Sequence, residues 1–420
     1  MKISYKWGVL ALLSCAFFFH QADRALFGLL TKPIQDELLL TDVQIGWINT
    51  VLSWTLATLT MVAGFAGDKF SRKWIITLSL FFWSLMTVCM GFVGEWRVLG
   101  FVIPAYFVVM FFRSIATGGG ESFYAPSAMA LLGSHHKETR SIAFSVHQGT
   151  LYFALMTSGI LVSAALHFLN WRQIFILFGA AGMLLAISFI WLLRDEGGKK
   201  DFPLQAARKG LLLSGFKAFF GNPAVLSVTV GFVAIVFVNN AYLFWAPKFI
   251  AEKFAVNVGE AAEKAMFWHH FAAFAAVMAG GFITDRFIRR MPRFRLFFQT
   301  VAMLLGAPCL LMIGMSDSLV LMIAMTASYG LFRGFFESNT HASLFDVVPP
   351  ELRSSAEGYL TMIGFFFGGL SGVVMGALSE KYGVRGFEIG FALMGAAYAV
   401  GAVAMALSAF FFFKKFRVAG

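Results

Sequence analysis

Gly64-Phe-Ala-Gly-Asp-Lys-Phe-Ser-Arg-Lys73 returns 217 positions later as Gly281-Phe-Ile-Thr-Asp-Arg-Phe-Ile-Arg-Arg290. In both copies an Asp follows the first Gly by four residues, a base comes directly after it, then a Phe, and two bases close the run. Each copy ends an apolar stretch of roughly membrane-spanning length. A charged hairpin at the same place in two apolar halves marks an internal duplication, the plan of a transporter with a site built from both halves.

Composition identifies the solvent. The 420 residues are 59% hydrophobic and 13% charged, with 51 Phe, where soluble domains are nearer a quarter charged. A helix needs about 20 apolar residues to cross the hydrocarbon core. The periodicity predicts twelve such runs: 7–30, 44–66, 73–94, 99–125, 140–167, 171–193, 223–249, 263–284, 295–315, 318–345, 353–379 and 386–413. Helices satisfy every backbone group internally, so the expected fold is all-α, twelve transmembrane helices in two pseudo-symmetric six-helix bundles. The bundles are expected over 1–193 and 222–420, joined by a polar linker at 194–221 that contains Gly197-Gly198-Lys199-Lys200-Asp201. The apolar run after Lys2 and Lys6 continues past Asp23-Arg24 without a cleavage site, so it reads as the first span rather than a leader.

With both ends on one side, 22 Lys and Arg fall there and eight fall opposite. The positive-inside rule then places both termini and the linker in the cytoplasm of a cell whose inner membrane holds the chain. The net charge of +11 follows from this bias and calls for no nucleic-acid partner.

Three bases remain, Arg24, Arg113 and Arg333, each deep inside a span. Charge at that depth is costly and marks functional positions. Arg113 and Arg333 stand 220 apart, both in the fourth helix of their half, as pseudo-symmetric arginines. Acids accompany them. Glu121 lies eight residues after Arg113, behind Gly118-Gly119-Gly120, which places the pair on neighbouring helix faces about 12 Å apart along the axis. Glu337 lies four after Arg333, a spacing that lets the side chains touch and that serves equally as an internal ion pair. His20, Asp23 and Arg24 share one side of a turn in the first helix, and Asn240-Ala241 replaces Asp23-Arg24 in the second half.

Other polar residues lie within spans: Ser145, His147, Gln148 and Tyr152 in the fifth, Asn239, Asn240, Tyr242 and Trp245 in the seventh, Asn339 and His341 in the tenth. Gln148, Tyr152, Asn239, Asn240, Tyr242 and Asn339 are candidate substrate contacts beside the three arginines, although such residues also bond helix to helix. Trp245-Ala-Pro247 is expected to break or bend the seventh helix. The pairs His135-His136 and His269-His270 lack metal spacing, and Cys15, Cys89 and Cys309 are scattered in spans, so no metal is expected. Phosphate loops, dinucleotide fingerprints and hydrolase motifs are absent, so the chain reads as no enzyme, without a cofactor.

The paired hairpins look like the signature loop of the major facilitator superfamily, and the twelve spans, basic linker and Trp171-Arg172-x2-Phe175 match along the whole chain. The family's inner Gly is Ser71 in one copy and Ile288 in the other. That resemblance implies that Asp68, Lys69, Arg72 and Lys73, with Asp285, Arg286, Arg289 and Arg290, latch the cytoplasmic side. Asp23-Arg24, Arg113 and Glu121 resemble the organic anion:cation symporters, which take up hexuronates, aldonates and similar carboxylates with protons. Arg24 and Arg113 would then face the substrate carboxylate, and Asp23 and Glu121 would carry protons, with His20 and Glu337 as further candidates. The family pattern has Gly after the Arg and Glu seven on; here Ser114 follows and the spacing is eight. Spinster-type lipid transporters share much of this pattern, Trp-Ala-Pro included. The expected function is proton-coupled symport of a sugar acid or similar monocarboxylate by a monomer in the lipid bilayer. The alternative is transport of an amphipathic lipid or other hydrophobic solute.

Overall fold

The computed structural model describes residues 5–98, 100–136, 139–194, 216–217 and 219–418, so most of the expected linker lies outside it. Ten described segments are long and apolar enough to cross a membrane. Helix α3 (Asp42–Lys69) and the interrupted helix over 105–135 bring the spans to twelve.

In the N-terminal half α1 (Tyr5–Leu29) leads through short α2 (Thr31–Leu38) into α3, then α4 (Arg72–Met90). Thr41 opens α3 with a capping box to Gln44, and Asn170 opens the sixth span, α9 (Trp171–Leu192), with another to Gln173. The fifth span is α8 (Arg140–Leu166). The second half runs α10 (Pro223–Phe254), α11 (Val258–Ile288), α12 (Phe294–Met315) and α13 (Leu319–Glu337) with α14 (Thr340–Phe345). It ends with α15 (Arg353–Gly368), α16 (Ser371–Tyr382) and α17 (Val384–Leu407). The duplication reaches the backbone. Leu39 and Ala255, 216 apart, are the two non-glycine residues with positive φ, at 53° and 52°, among those described. Two residues after each, Thr41 and Asn257 accept a backbone N–H with the side chain to start the next helix.

One expectation is corrected and another is narrowed. The fourth span does not begin at 99. Strands β1 (Trp96–Val98) and β2 (Phe101–Ile103) pair antiparallel around Gly100, whose φ of +83° suits the turn. Pro104 then opens the helix, which runs α5 (Ala105–Val109), a π-helical turn (Met110–Ala116), α6 (Thr117–Ser122) and α7 (Tyr124–His135). Aromatic and β-branched residues flanking a glycine favour the hairpin over a helical start. The seventh helix is not broken either, because α10 continues through Pro247. That proline has no N–H for the Leu243 carbonyl, and α1 closes on this point at Gly28, where a Cβ would stand 2.8 Å from the carbonyl oxygen. A glycine there lets the two backbones touch.

The chain forms two compact units, one of Met1–Lys199 with Leu243–Phe267, the other of Lys200–Tyr242 with Trp268–Gly420. The second half of α10 and the start of α11 therefore belong with the N-terminal helices. Leu10, Leu13, Phe17, Leu80, Trp83 and Tyr124 are among the buried side chains of the first unit's core, and Trp83 and Tyr124 also pack against His20 of α1.

Candidate functional site

In the first unit four charged side chains converge inside the helices. The π-helical turn carries Arg113, and such a turn holds one more residue than an α turn. It absorbs the extra residue between Arg113 and Glu121, so both point at α1 rather than at neighbouring faces. Gly118 and Gly120 allow this approach: a Cβ on Gly120 would lie 3.0 Å from the Trp83 Cβ of α4, and one on Gly118 2.8 Å from Leu52 of α3.

Asp23 and Arg24 do not pair with each other. Consecutive helix residues diverge by about 100°, and each takes a partner on another helix. Asp23 accepts a hydrogen bond from Thr87 of α4 at 2.8 Å and meets the Arg113 guanidinium at 3.5 Å. The other Arg113 nitrogen donates to the Arg24 carbonyl at 3.0 Å. Arg24 turns towards Glu121, its Nε 3.9 Å from the carboxylate. His20 Nε2 stands 4.0 Å from the same oxygen, while Gln21 donates to His20 Nδ1 at 3.1 Å, which leaves the ring proton on the nitrogen facing Glu121. Asp23, Arg113 and Glu121 are no more than 2% exposed. Both Glu121 oxygens and Arg113 Nε lack a hydrogen-bond partner. Buried polar groups are seldom left so, and the exceptions cluster where function needs them.

An aromatic wall closes one side. His20 lies edge-on to Trp83 at 5.4 Å and stacks near Tyr124 at 5.6 Å. His147 of α8 stacks on Phe17 at 4.3 Å and meets the Tyr124 hydroxyl at 3.3 Å. Thus His147 of the fifth span packs against α1, while Gln148 is exposed and Tyr152 is buried.

The second unit answers with a different arrangement. Arg333 Nε donates to Glu337 Oε1 at 2.9 Å along its own helix, and NH1 donates to His269 Nε2 at 2.8 Å. That ring nitrogen is therefore an acceptor, with the proton on Nδ1 towards the Thr326 carbonyl at 3.4 Å. Tyr242 and Tyr329 flank His269 at 4.5 and 5.0 Å, and Asn240 is buried while Asn239 is half-buried. Asn339 donates to Thr284 at 3.0 Å and to Ser338 at 2.9 Å, away from Arg333.

Of the signature loops, Lys73 donates to the Ile190 carbonyl at 2.7 Å and Arg72 is half-buried. Asp285, Arg286, Arg289 and Arg290 are exposed, and the side chains of Asp68 and Lys69 lie outside those described. At the far end of the first unit, Lys248 is 7% exposed and pairs with Asp42 and, at 3.6 Å, with Glu252. Sequence reading missed Thr87, His269 and Lys248 as partners of charged groups. A histidine in an apolar helix is the signal that marks the second.

Twelve helices, with guanidinium and carboxyl groups paired inside each unit, are the architecture of a multi-pass membrane protein. The family model of the Major Facilitator Superfamily matches residues 13–372, and the chain belongs to that superfamily. It is 23% identical over 386 residues to the "Probable galactarate/D-glucarate transporter GudP" of Bacillus subtilis, covering 86% of this chain and 83% of that one. It is 26% identical over 263 residues to "Protein spinster homolog 1" of Xenopus laevis, covering 59% of this chain and 47% of the relative, about half that protein. Among solved structures, a bacterial homologue of the human lysosomal transporter spinster, inward-facing and occupied, superposes over the full length of both chains with a TM-score of 0.80 at 18% identity. A D-xylose-proton symporter gives 0.78 at 13%, over 97% of this chain and 98% of that one.

Proposed function

We propose that the chain is an inner-membrane, proton-coupled symporter of a sugar acid or a similar small organic anion. The observation that carries this reading is the buried cluster of Asp23, Arg24, Arg113 and Glu121, in which both Glu121 oxygens and Arg113 Nε have no hydrogen-bond partner. A guanidinium fork binds a carboxylate in two parallel bonds, and in a low-dielectric site such bonds are strong. Relatives named for galactarate and D-glucarate support an anionic sugar acid, and those substrates carry a carboxylate at each end. This widens the monocarboxylate expected from sequence.

Coupling follows from competition. Burial and an adjacent guanidinium act in opposite senses on a carboxyl group. A substrate carboxylate that takes over Arg113 or Arg24 removes the facing guanidinium from Asp23 or Glu121, and the carboxyl so released is the proposed proton carrier. The anion and the proton then cross together by alternating access of the two halves of the chain, with the signature loops as cytoplasmic latches and both termini in the cytoplasm.

A second reading has its own observation. An apolar cavity of about 370 Å³ opens between α1, α8 and α9 against Phe18, Phe19, Leu26, Leu161 and Phe178, a shape suited to an acyl chain. The spinster relatives favour it. Thermal shift of the purified protein against aldarates, aldonates and lysolipids separates the two. Stabilisation by sugar acids, followed by their uptake into liposomes under an inward proton gradient, is expected. Stabilisation by lysolipids alone would overturn the anion reading.

A further inference from the structure

Where α11 gives way to α12 and the last helical turns run out, a pocket of about 380 Å³ opens in the second unit. Its lining carries four bases, Arg290, Arg293, Lys414 and Arg417, and no acid. Phe410 and Phe413 form the apolar side. Arg293 lies over the Phe410 ring at 5.2 Å and Arg417 over Phe413 at 5.9 Å, so two of the guanidiniums are held by ring faces. Asp346 does not offset this charge, because Arg295 takes both its oxygens at 2.7 and 2.9 Å while its carbonyl accepts the Val418 N–H at 3.0 Å.

The pocket sits at the ends of three spans, after Ile288, before Phe294 and around a π-helical stretch, Ser408–Phe412, that extends α17. That stretch leaves Phe410 51% and Phe411 71% exposed, beside the four bases. Four bases at the ends of three spans, with exposed aromatic surface beside them, suit one class of ligand, a phosphate diester attached to acyl chains. We propose that this pocket binds the headgroup phosphate of an anionic phospholipid, with the acyl chains lying along Phe410 and Phe411.

The full chain, purified in detergent, is titrated with dioleoyl-phosphatidylglycerol or dioleoyl-phosphatidylcholine and followed by thermal shift and native mass spectrometry. Phosphatidylglycerol is expected to stabilise the protein and remain bound at least tenfold better than phosphatidylcholine. Arg293→Gln combined with Arg417→Gln is expected to remove that preference, and Arg97→Gln, on a distant exposed pair, to keep it. Lys414→Gln, at an exposed side chain, provides a milder variant whose fold is not at stake, with an expected loss of about threefold. Equal retention of the two lipids, or an unchanged preference in both pocket variants, would overturn the proposal. So would displacement of the lipid by inorganic phosphate or glycerol 3-phosphate at millimolar concentration, which would make this a site for a soluble phosphate.

Discussion

Arg113 and Arg333 are related by the internal repeat, yet they are held in different ways. In the first unit Arg113 reaches across to Asp23 on α1, and a second acid, Glu121, stands beside Arg24 without a hydrogen bond of its own. In the second unit Arg333 is held by Glu337 four residues on in the same helix and by a histidine acceptor on α11. An i,i+4 pair forms whenever the helix forms, whereas a cross-helix pair is made and unmade as helices move. In the proposed function, two acids and two guanidiniums in one unit leave carboxyl groups to exchange with substrate. One acid already bonded to its arginine leaves none. Under the proposed function, the difference would place anion exchange and proton carriage in the first unit and positioning in the second.

Substitutions at the two arginines should show the largest contrast. Arg113→Lys keeps the charge and loses the fork, and substrate affinity should fall about 100-fold, on the order of two charge-assisted bonds. Arg333→Lys can still meet Glu337 along the helix, and about a fivefold loss is expected. Binding by thermal shift or uptake reads both, and equal losses would erase the distinction. Next in size is the contrast between acids. Asp23→Asn and Glu121→Gln should abolish concentrative uptake while sparing counterflow of labelled substrate, which needs no net proton movement. Glu337→Gln should keep more than about a third of concentrative uptake if it only positions Arg333. Concentration by both Asp23→Asn and Glu121→Gln would place the carrier elsewhere.

The smallest effect lies at the edge of the first unit. Glu37 accepts from Arg172 at 2.7 Å and from the Trp171 indole at 2.5 Å, and the position 216 later is Lys253. The Arg172 bond, aided by the indole, holds the Glu37 carboxyl below its ordinary value of 4.5. A depressed folded value means that the pair contributes fully above pH 4.5 and its contribution fades as pH falls through the lower folded value. Glu37 is half exposed, so Glu37→Gln should lower the melting temperature by about 1–2 °C at pH 7. That difference should vanish in acid. A difference that persists at low pH would mean that shape rather than charge matters there.

Much of this was legible in the chain. Hydropathy, the repeated hairpin and the count of bases determined the spans and the duplication, because a helix in lipid must be apolar along its whole length. Arg24, Arg113 and Arg333 stood out for the same reason, and the Arg333–Glu337 bond followed from spacing alone. The partners across helices did not. Asp23 beside Arg24 reads as a local pair, yet only packing sends one to Arg113 and the other to Glu121. Likewise the eight-residue spacing of Arg113 and Glu121 reads as two faces until the π turn takes up the odd residue. His269 and Thr87 gave no periodic signal, since an acceptor nitrogen and a hydroxyl acquire meaning only from the guanidinium or carboxylate that packing brings to them. Local chemistry and the demands of the bilayer are written along the sequence. Which charge meets which was decided by the tertiary structure, because those contacts join residues 64 and 90 positions apart, whose meeting depends on how helices settle against one another.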